Sequence, residues 1–528
     1  MDGSGPAPFL SVPSGGSSPC GRPVLFLSSS NTWSSSSSRP EAIAFDRKSS
    51  PAAQKDQWQR HQEWHEKYGP IITVRMGMST MIMISDYAIA NELLERRAAI
   101  YSSRPKMLFL NKYLTNSLQP IMQPFGPRWK RLHRLHMMLL NPTTTRAYHH
   151  LQDLESRQFM KELLSTPSDS HTSRFTRYTL SFMMGLVFGE RAPRGDETEP
   201  NLMRDCLMRR LTGFHWTYFL ADLLPPLDWL PKYIAPWARA GKRMRDYEMG
   251  IYERNIEAAL ARPHWSWAKE LSHRGKGEKL SSEQICYVIS ELFMAGTSGT
   301  IVGWNIFVAV ALLNPDCIQR VQQELDAVVG LRMPTVQDIP QLPYLTAFLH
   351  ELLRFRPILP TGFPHAATQD DEYKGFRVPR AAQIVTNTWL MDSDESLYPD
   401  ATSFRPERWL ENPGLPMTAF GFGRRKCPGR DVARSSLLLA LGRCLWGFRI
   451  EFDHDDPASL EQSSIVMARG KSLFEEPESV KARFLVRSPK HEAVITHDWE
   501  NANTDLGAIL KATRDEIPIL QSKGGLEA

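Results

Sequence analysis

Apolar residues recur with a helical period over most of the chain, and the longest such stretch runs from Ser281 to Leu313. Serine and glutamine at positions 281 and 284 have the spacing of a capping box, which is typical of a helix N-terminus. Gly296 and Gly299 interrupt the stretch, at a cost of about 1 kcal/mol each relative to alanine. The pattern therefore predicts a long central helix, in which some packing or functional role offsets the helix stability lost at the two glycines.

Patterns typical of strands are confined to a few short regions. Residues 71–74 and 81–84 lie on either side of Gly77 and predict a β-hairpin. From Pro357 to Pro406, short apolar runs are divided by proline, glycine and aspartate and predict a small β region, after which helical periodicity resumes near Val432. We therefore predict a mainly α fold with a small β region, built as a single large domain.

Composition divides the chain into three segments. Residues 1–56 are rich in serine, glycine and proline and predict a disordered N-terminal segment, which precedes a predicted folded domain at 57–490 and a C-terminal extension at 491–528. The longest apolar run in the first segment, Val24 to Leu27, is far shorter than the roughly 20 residues of a membrane-spanning helix. No N-terminal membrane anchor is predicted in the chain as written.

The charge and the cysteines exclude several classes of function. The chain has 63 basic and 58 acidic residues, a formal net charge of +5, which does not indicate a nucleic-acid partner but is compatible with peripheral membrane association. Its 6 cysteines show no CxxC spacing, which argues against a disulfide framework or a zinc site.

Cys427 lies in a loop, Phe420 to Gly429, that is rich in glycine and basic residues. A thiolate ligand needs nearby positive charge and hydrogen-bond donors to remain deprotonated. The expected sources of that charge are Arg424, Arg425 and Lys426. Gly423 and Gly429 are expected to allow positive φ and a close approach of the backbone to a flat cofactor.

The spacing F-x-x-G-x-R-x-C-x-G in this loop resembles the haem-binding loop of the cytochrome P-450 family. The resemblance implies that Cys427 is the proximal iron ligand of haem b (iron protoporphyrin IX). It implies cofactor contacts by Phe420, Gly423, Arg425 and Gly429, and a cytochrome P-450 fold with the long central helix over the haem. The strings WHEKYGPI, AIYSSRP and SLYPDATSFRPERWL resemble fungal members, particularly the O-methylsterigmatocystin oxidoreductase-like group of secondary metabolism.

The central helix departs from the pattern of the resembled family, which is small-Gly-x-acid-Thr-Thr. The chain has Ala295-Gly296-Thr297-Ser298-Gly299-Thr300 in its place. The resemblance implies that Ala295 and Gly296 border the cofactor and that the helix is locally distorted there. Ser298 and Gly299 occupy the positions of the acid and the first threonine, so Ser298 and Thr300 are the candidate catalytic residues, with Thr297 or an ordered water as further candidates.

Glu351 and Arg354 share one face of an apolar helix and are expected to form a pair. Together with Arg408 in the segment Phe404 to Trp409, they resemble the family's Glu-Arg-Arg triad, which supports the loop that carries the haem ligand. Their predicted role is structural support.

Basic residues elsewhere resemble the family's haem-propionate contacts. Trp129 and the basic residues after it resemble the W-x-x-x-R element. The implied contacts are Trp129, His133, Arg134, His365 and Arg425. The apolar segment Ile358 to Phe363, with Leu359, Thr361 and Phe363, and the region Met107 to Leu118 lie where the family lines its substrate pocket.

The resemblance implies a haem-thiolate monooxygenase that receives electrons from NADPH through a separate reductase and oxidises a lipophilic small molecule. Arg424, Lys426, Arg430 and Arg434 are the basic residues expected to face that NADPH-cytochrome reductase. The family location is the cytosolic face of the endoplasmic reticulum membrane, while the missing anchor leaves a cytoplasmic location open. Two alternatives also stay open, a haem-thiolate isomerase or dehydratase that does not need O2 and a non-catalytic haem-binding protein.

Overall fold

Helices make up most of the computed structural model, which describes residues 25–28, 42–43, 57–76, 78–165, 171–212, 220–453 and 480–521. The helices, numbered here in chain order, are α1 (Gln57–Tyr68), α2 (Tyr87–Ala90), α3 (Ala98–Tyr101), α4 (Pro127–Leu140), α5 (Pro142–Thr145), α6 (His149–Ser165), α7 (His171–Phe188), α8 (Thr198–Thr212), α9 (Leu220–Leu223), α10 (Pro236–Ala261), α11 (Trp267–Gly277), α12 (Ser282–Leu313), α13 (Pro315–Val328), α14 (Pro343–Phe355), α15 (Thr388–Asp392), α16 (Glu407–Glu411), α17 (Arg430–Gly447), α18 (Pro489–Glu500), α19 (Leu506–Asp515) and α20 (Pro518–Gln521).

Shorter π-helical and 3₁₀ segments connect several of these helices. The π-helical segments are Asn91–Arg96 and Leu108–Leu114, and the 3₁₀ turns are Pro120–Met122, Arg146–Tyr148, Pro225–Trp229, Ile339–Gln341 and Gly423–Arg425.

The strands form one larger sheet and two ribbons. They are β1 (Leu25–Ser28), β2 (Ala42–Ile43), β3 (Ile71–Met76), β4 (Ser79–Ile84), β5 (His365–Ala366), β6 (Asp371–Tyr373), β7 (Phe376–Val378), β8 (Gln383–Thr386), β9 (Phe448–Phe452) and β10 (Ala482–Val486). The larger sheet has the order β2-β1-β3-β4-β8-β5, in which β4 and β8 are parallel. β3 and β4 form the predicted hairpin, with Ile71 opposite Ile84. The prediction of a mainly α fold with a small β region is confirmed.

The predicted central helix is α12, which spans 32 residues. The Ser281 hydroxyl accepts a hydrogen bond from the Gln284 amide at 3.2 Å, as the capping spacing predicts. Within the described chain, α12 is the helix with the length and apolar composition of a membrane span, but 83% of its most apolar window is buried in the protein. It is therefore the core helix of the fold, and it packs mainly against α7.

The structure describes short elements near both ends of the chain. Leu25–Ser28 forms β1 and pairs with β3, and Ala42–Ile43 forms β2, within the segment 1–56 for which the sequence predicts disorder. The remaining residues of that segment lie outside the described residues. The predicted C-terminal extension is not separate, because Ile495, Leu510 and Ile517 have 0% exposure and belong to the apolar core.

A buried ionic cluster joins α14 to the segment that precedes the cysteine loop. The Glu351 carboxylate accepts hydrogen bonds from Arg354 at 2.7 and 2.9 Å and from Arg408 at 3.1 Å. The Trp409 indole at 2.9 Å and the Arg405 amide at 2.9 Å donate to the same carboxylate. Glu351 has 0% exposure and both arginines have 2%, so the i,i+3 pair predicted from the sequence is fully desolvated.

We expect Glu351→Gln to lower the free energy of unfolding by about 3–5 kcal/mol, because two buried guanidinium groups would lose their only carboxylate in this cluster. Chemical denaturation followed by far-ultraviolet circular dichroism measures this change. The matched control is Asp246→Asn, which breaks an exposed pair with Lys242 on α10 and should cost about 0.5 kcal/mol or less. Equal effects of the two substitutions would contradict a special role for the buried cluster.

Candidate active site

The loop around Cys427 is fixed by backbone hydrogen bonds and by one close approach. The Cys427 amide donates to the Phe420 carbonyl at 2.9 Å, and the Lys426 amide donates to the Gly423 carbonyl at 3.1 Å. Gly423 has a φ of 57°, and a Cβ at this position would lie 2.0 Å from the carbonyl oxygen of Leu94. The chain therefore requires glycine at position 423, because a side chain would collide with backbone rather than with a movable group.

The second glycine of the loop behaves differently from the expectation. Gly429 has a φ of −86° and is the N-cap residue of α17. The expectation of a positive φ is therefore confirmed at Gly423 and wrong at Gly429. A Cβ on Gly429 would meet no atom within 4 Å. The backbone beside Cys427 thus borders open space, as it must if a flat group is to lie against this side of the loop.

The positive charge next to Cys427 comes from a residue other than those predicted. Burial raises the pKa of the Cys427 thiol, while the Gly429 amide and Arg430 lower it. Lys426 forms an ion pair with Glu95 at 2.5 Å, and the exposed Arg424 lies over the Phe125 ring.

Arg425 turns towards α4. Its guanidinium carbon lies 4.3 Å from the centre of the Trp129 ring, and it donates to the carbonyls of Ser102 at 2.8 Å and Gln123 at 2.6 Å. The His133 ring stacks on the Trp129 ring, with the two ring centres 4.6 Å apart and the rings nearly parallel. Trp129, His133 and Arg425, three of the predicted propionate contacts, are therefore neighbours.

His365 and an arginine that the sequence analysis did not select extend this group. Nδ1 of His365 lies 2.8 Å from the Tyr101 carbonyl oxygen. Arg104 is 6% exposed and donates to the carbonyls of Phe363 at 3.0 Å and Pro364 at 2.6 Å, next to His365 in the chain. The only sequence signal for Arg104 was its place in the string AIYSSRP, since its partners are carbonyls of distant segments.

Burial shifts the pKa values of this group, and its two arginines have little compensating negative charge. Burial lowers the pKa of Arg425 to about 9 and that of His365 to about 3. Burial and repulsion from Arg425 hold the pKa values of Arg104 and His133 below their ordinary values. Glu291 is the acid that partly offsets both arginines. Two arginine cations with two neutral histidines beside them fit an anionic ligand with more than one carboxylate, as haem b has.

Arg134 does not join the group. Its side chain is 73% exposed and lies 3.9 Å from Glu278. Position 133 is four residues after Trp129 and shares its helix face, whereas position 134 is rotated about 100° away. The structure therefore does not place Arg134 where a propionate contact was expected, and His133 is the better placed of the two residues.

One face of α12 is open in the middle of an otherwise buried helix. Ala295 is exposed and Gly299, four residues later on the same face, is half-buried, with no atom within 4 Å of the position its Cβ would take. A Cβ on Gly296 would lie 2.5 Å from the Met183 methyl carbon, so Gly296 allows α7 to pack closely. The expected local distortion is absent from the described helix, which is α-helical throughout.

The hydroxyl groups near this open face differ in their availability. The Thr300 hydroxyl donates to the Gly296 carbonyl at 3.2 Å, and the Thr297 hydroxyl donates to the Met294 carbonyl at 3.1 Å. Ser298 is buried, and its hydroxyl makes no hydrogen bond to the described residues. Ser298 is therefore the hydroxyl that is free to bind another group.

Glu291 adds an acid that the sequence analysis missed. It lies one turn before Ala295 on the same face, and its carboxylate accepts a hydrogen bond from the Ile121 amide at 3.0 Å. Burial raises the pKa of Glu291 to about 7. An acidic residue at i−4 from the Ala-Gly pair in a strongly apolar helix was the signal that could have identified it.

The predicted substrate residues lie in a turn between α14 and β5. Leu359, Thr361 and Phe363 are half-buried, and the Thr388 hydroxyl holds the turn by donating to the Leu359 carbonyl at 2.7 Å. The Phe363 ring lies 4.6 Å from the guanidinium carbon of Arg104, which connects this turn to the cationic group.

Comparison with known proteins identifies the family. The family model described as Cytochrome P450 matches residues 48–475. Cytochrome P450 monooxygenase aneD of Aspergillus aculeatus is 37% identical over 457 residues, which cover 85% of this chain and 87% of that protein. Cytochrome P450 monooxygenase FrzL of Cladobotryum sp is 34% identical over 86% of this chain and 88% of its own length. The Echilunin cytochrome P450 monooxygenase of Aspergillus ruber is 34% identical over 87% and 86%, respectively. The chain therefore belongs to the cytochrome P450 family.

Proposed function

We propose that Cys427 would bind the iron of haem b as its thiolate ligand, and that Arg104, Arg425, His133 and His365 would hold its propionates. The observation that carries this proposal is the neighbouring arginines Arg104 and Arg425, whose charge is offset only in part by Glu291. The space beside Gly429 supports the same location for the ring.

The chain is a haem-thiolate monooxygenase of the kind that functions in fungal secondary metabolism. The relatives from Aspergillus aculeatus and Cladobotryum sp are both named as cytochrome P450 monooxygenases. Bound haem supplies the activation of O2, and thiolate ligation assists O–O cleavage. The O2-independent isomerase and the non-catalytic haem protein are not favoured.

We propose that Ser298 and Glu291 supply and hold protons at the open face of α12. The Ser298 hydroxyl is uncommitted within the described chain, and a carboxyl group whose pKa is about 7 exchanges its proton readily near neutral pH. Thr300 is a weaker candidate because its hydroxyl already donates to Gly296.

Electron supply is proposed to come from NADPH through a separate reductase. The basic residues Arg424 and Lys426 are exposed near the cysteine loop, and Arg430 and Arg434 are half-buried at the start of α17. An acidic flavoprotein surface would complement this charge and gain in association rate from it. The substrate is proposed to be lipophilic, because the turn with Leu359, Thr361 and Phe363 presents mainly apolar side chains.

We propose peripheral contact with the cytosolic face of the endoplasmic reticulum membrane through an apolar surface patch. Trp229 is 86%, Tyr233 75% and Ile234 52% exposed, in the segment between α9 and α10. Met78, 70% exposed, lies at the tip of the β3–β4 hairpin. The hairpin contacts α9, the helix that leads into this segment, since the Ser79 hydroxyl donates to the Asp222 carbonyl at 3.3 Å. Exposed apolar groups of this density mark an interaction surface.

Cys427→Ser is expected to abolish the red-shifted Soret band of the reduced carbon monoxide complex and to abolish product formation, because an alcohol does not provide thiolate ligation. The matched control is Cys317→Ser, which changes a half-buried cysteine on α13 and should keep the band. Retention of the band in Cys427→Ser would overturn the ligand assignment.

Ser298→Asp combined with Gly299→Thr is expected to raise the amount of product formed per NADPH oxidised, because it replaces the Ser298 hydroxyl by a carboxylate, a better proton carrier, and adds a hydroxyl at position 299. Space for the added side chain exists at position 299. The substrate for this assay is found by comparing the metabolites of a gene-deletion strain and its parent.

Gly299→Ala is the control for that double substitution, since it adds a Cβ without a hydroxyl and should leave the coupling unchanged. An unchanged or lower ratio in the double variant would mean that Ser298 and its neighbours already deliver protons adequately.

Trp229→Ser combined with Tyr233→Ser is expected to reduce binding to vesicles of neutral phospholipid about tenfold or more, because two amphipathic rings are lost from the patch. Vesicle co-sedimentation measures this binding. The control Leu410→Ser removes an exposed apolar residue on α16 and should have no effect. Equal losses in the two proteins would rule out the patch as the membrane contact.

A further inference from the structure

The Glu351 cluster and the cysteine loop are close in the fold but share no direct polar contact. Among the hydrogen bonds and ion pairs of the described chain, none joins Glu351, Arg354 or Arg408 to residues 420–429. If the cluster supports the loop, the support must pass through residues between them.

Asp392 at the end of α15 contacts both sides. Its backbone carbonyl accepts a hydrogen bond from the Arg354 guanidinium at 2.6 Å. Its carboxyl oxygen Oδ2 accepts one from the Thr418 hydroxyl at 2.6 Å. Asp392 is 2% and Thr418 3% exposed, so water does not compete for this contact.

Thr418 leads directly into the loop. Its carbonyl accepts the Gly421 amide at 2.8 Å, and the carbonyl of the intervening Phe420 accepts the Cys427 amide at 2.9 Å. Gly421 has a φ of 74°, so the chain turns sharply at this point. A shift of Thr418 would therefore move the turn that positions the Cys427 amide.

The surroundings of Asp392 favour its neutral form. Oδ1 is buried and has no hydrogen-bond partner in the described chain. The charged groups that face the carboxyl are Glu351 and Arg354, and Tyr398 is also close. Burial raises the pKa of Asp392 to about 8; Glu351 acts in the same direction, and the Thr418 hydrogen bond and Arg354 oppose it.

We propose that Asp392, as a neutral carboxyl group, is a positioning residue that connects the Glu351–Arg354 pair to Thr418 and so holds the turn that presents Cys427. The inference deepens the proposed function and rests on Cys427 being the haem ligand. A carboxyl whose folded pKa is raised from 3.8 to about 8 contributes stability that is complete below the lower value and is lost progressively as pH rises to the higher one. The Thr418 hydrogen bond itself favours the carboxylate, so the pH effect comes from burial: when Asp392 ionises near pH 8, the desolvated charge is expected to draw water into the site and to loosen the Asp392 segment.

The test compares Asp392→Asn, Asp392→Ala, Thr418→Val and the double variant Asp392→Ala/Thr418→Val, as haem-loaded full chains. We measure the thiolate-ligated fraction in the reduced carbon monoxide spectrum between about pH 6.5 and pH 9. We also measure the rate of haem transfer to excess apomyoglobin. Thr513→Val is the control, because it removes an equally buried hydroxyl on α19 that lacks a partner in the described chain.

We expect the thiolate-ligated fraction of the unsubstituted protein to fall as pH rises through about 8, and that of Asp392→Asn to stay constant, because the amide keeps the acceptor and cannot ionise. Asp392→Ala and Thr418→Val should each release haem about tenfold faster, and the double variant no faster than either, because one contact is lost in all three.

A pH dependence in Asp392→Asn equal to that of the unsubstituted protein would overturn the inference, as would additive losses or a loss in Thr513→Val of the same size. Absence of the thiolate band from the unsubstituted protein at every pH would instead reject the proposed function, so the two failures are distinguishable.

Discussion

The segment that precedes the cysteine loop depends on the Glu351 carboxylate. This single group has no exposed surface and accepts hydrogen bonds from two arginines, an indole and a backbone amide. Those partners bring their own contacts: Arg408 donates to the carbonyls of Pro399 and Asp400, and Arg354 donates to that of Asp392. Removal of any one partner would leave buried charge uncompensated, so the whole segment between α15 and α16 has one favourable arrangement. The cysteine loop is connected to the Glu351 cluster through Asp392, which binds both Arg354 and Thr418.

The proposed propionate contacts have the reverse balance of charge. Arg104 is buried and Arg425 is half-buried over the Trp129 ring, and Glu291 offsets their charge only in part. Isolated cations in such a place are costly unless an anion joins them. The fold thus places a charge-compensated cluster where the thiolate ligand must be held in one geometry, and uncompensated arginine charge where the carboxylates of a cofactor would supply the missing negative charge. Binding of that cofactor would stabilise the folded state by mass action.

Local sequence signals predicted a large part of this arrangement. The hairpin β3–β4, the helix α12 with its Ser281 cap, and the Glu351–Arg354 pair follow from spacings within one element, and each is present. Arg104 escaped prediction because its partners are carbonyls of segments far along the chain. Arg430 was expected to face the reductase, and its position in the sequence did not show that its charge also acts on the Cys427 thiol. The helix Leu506–Asp515 is strongly amphipathic, so its apolar face was a local signal of burial that the predicted boundary at residue 490 overlooked.

The central claim is that Cys427 coordinates the iron of haem while the arginines beside Trp129 hold its carboxylates. Iron K-edge X-ray absorption of the purified full chain tests the ligation most directly, because sulfur and nitrogen scatterers are distinguishable in the first coordination sphere. The account predicts one sulfur and four porphyrin nitrogens in the unsubstituted protein, with the sulfur absent from Cys427→Ser. An iron sphere of nitrogen and oxygen alone in the unsubstituted protein would contradict it.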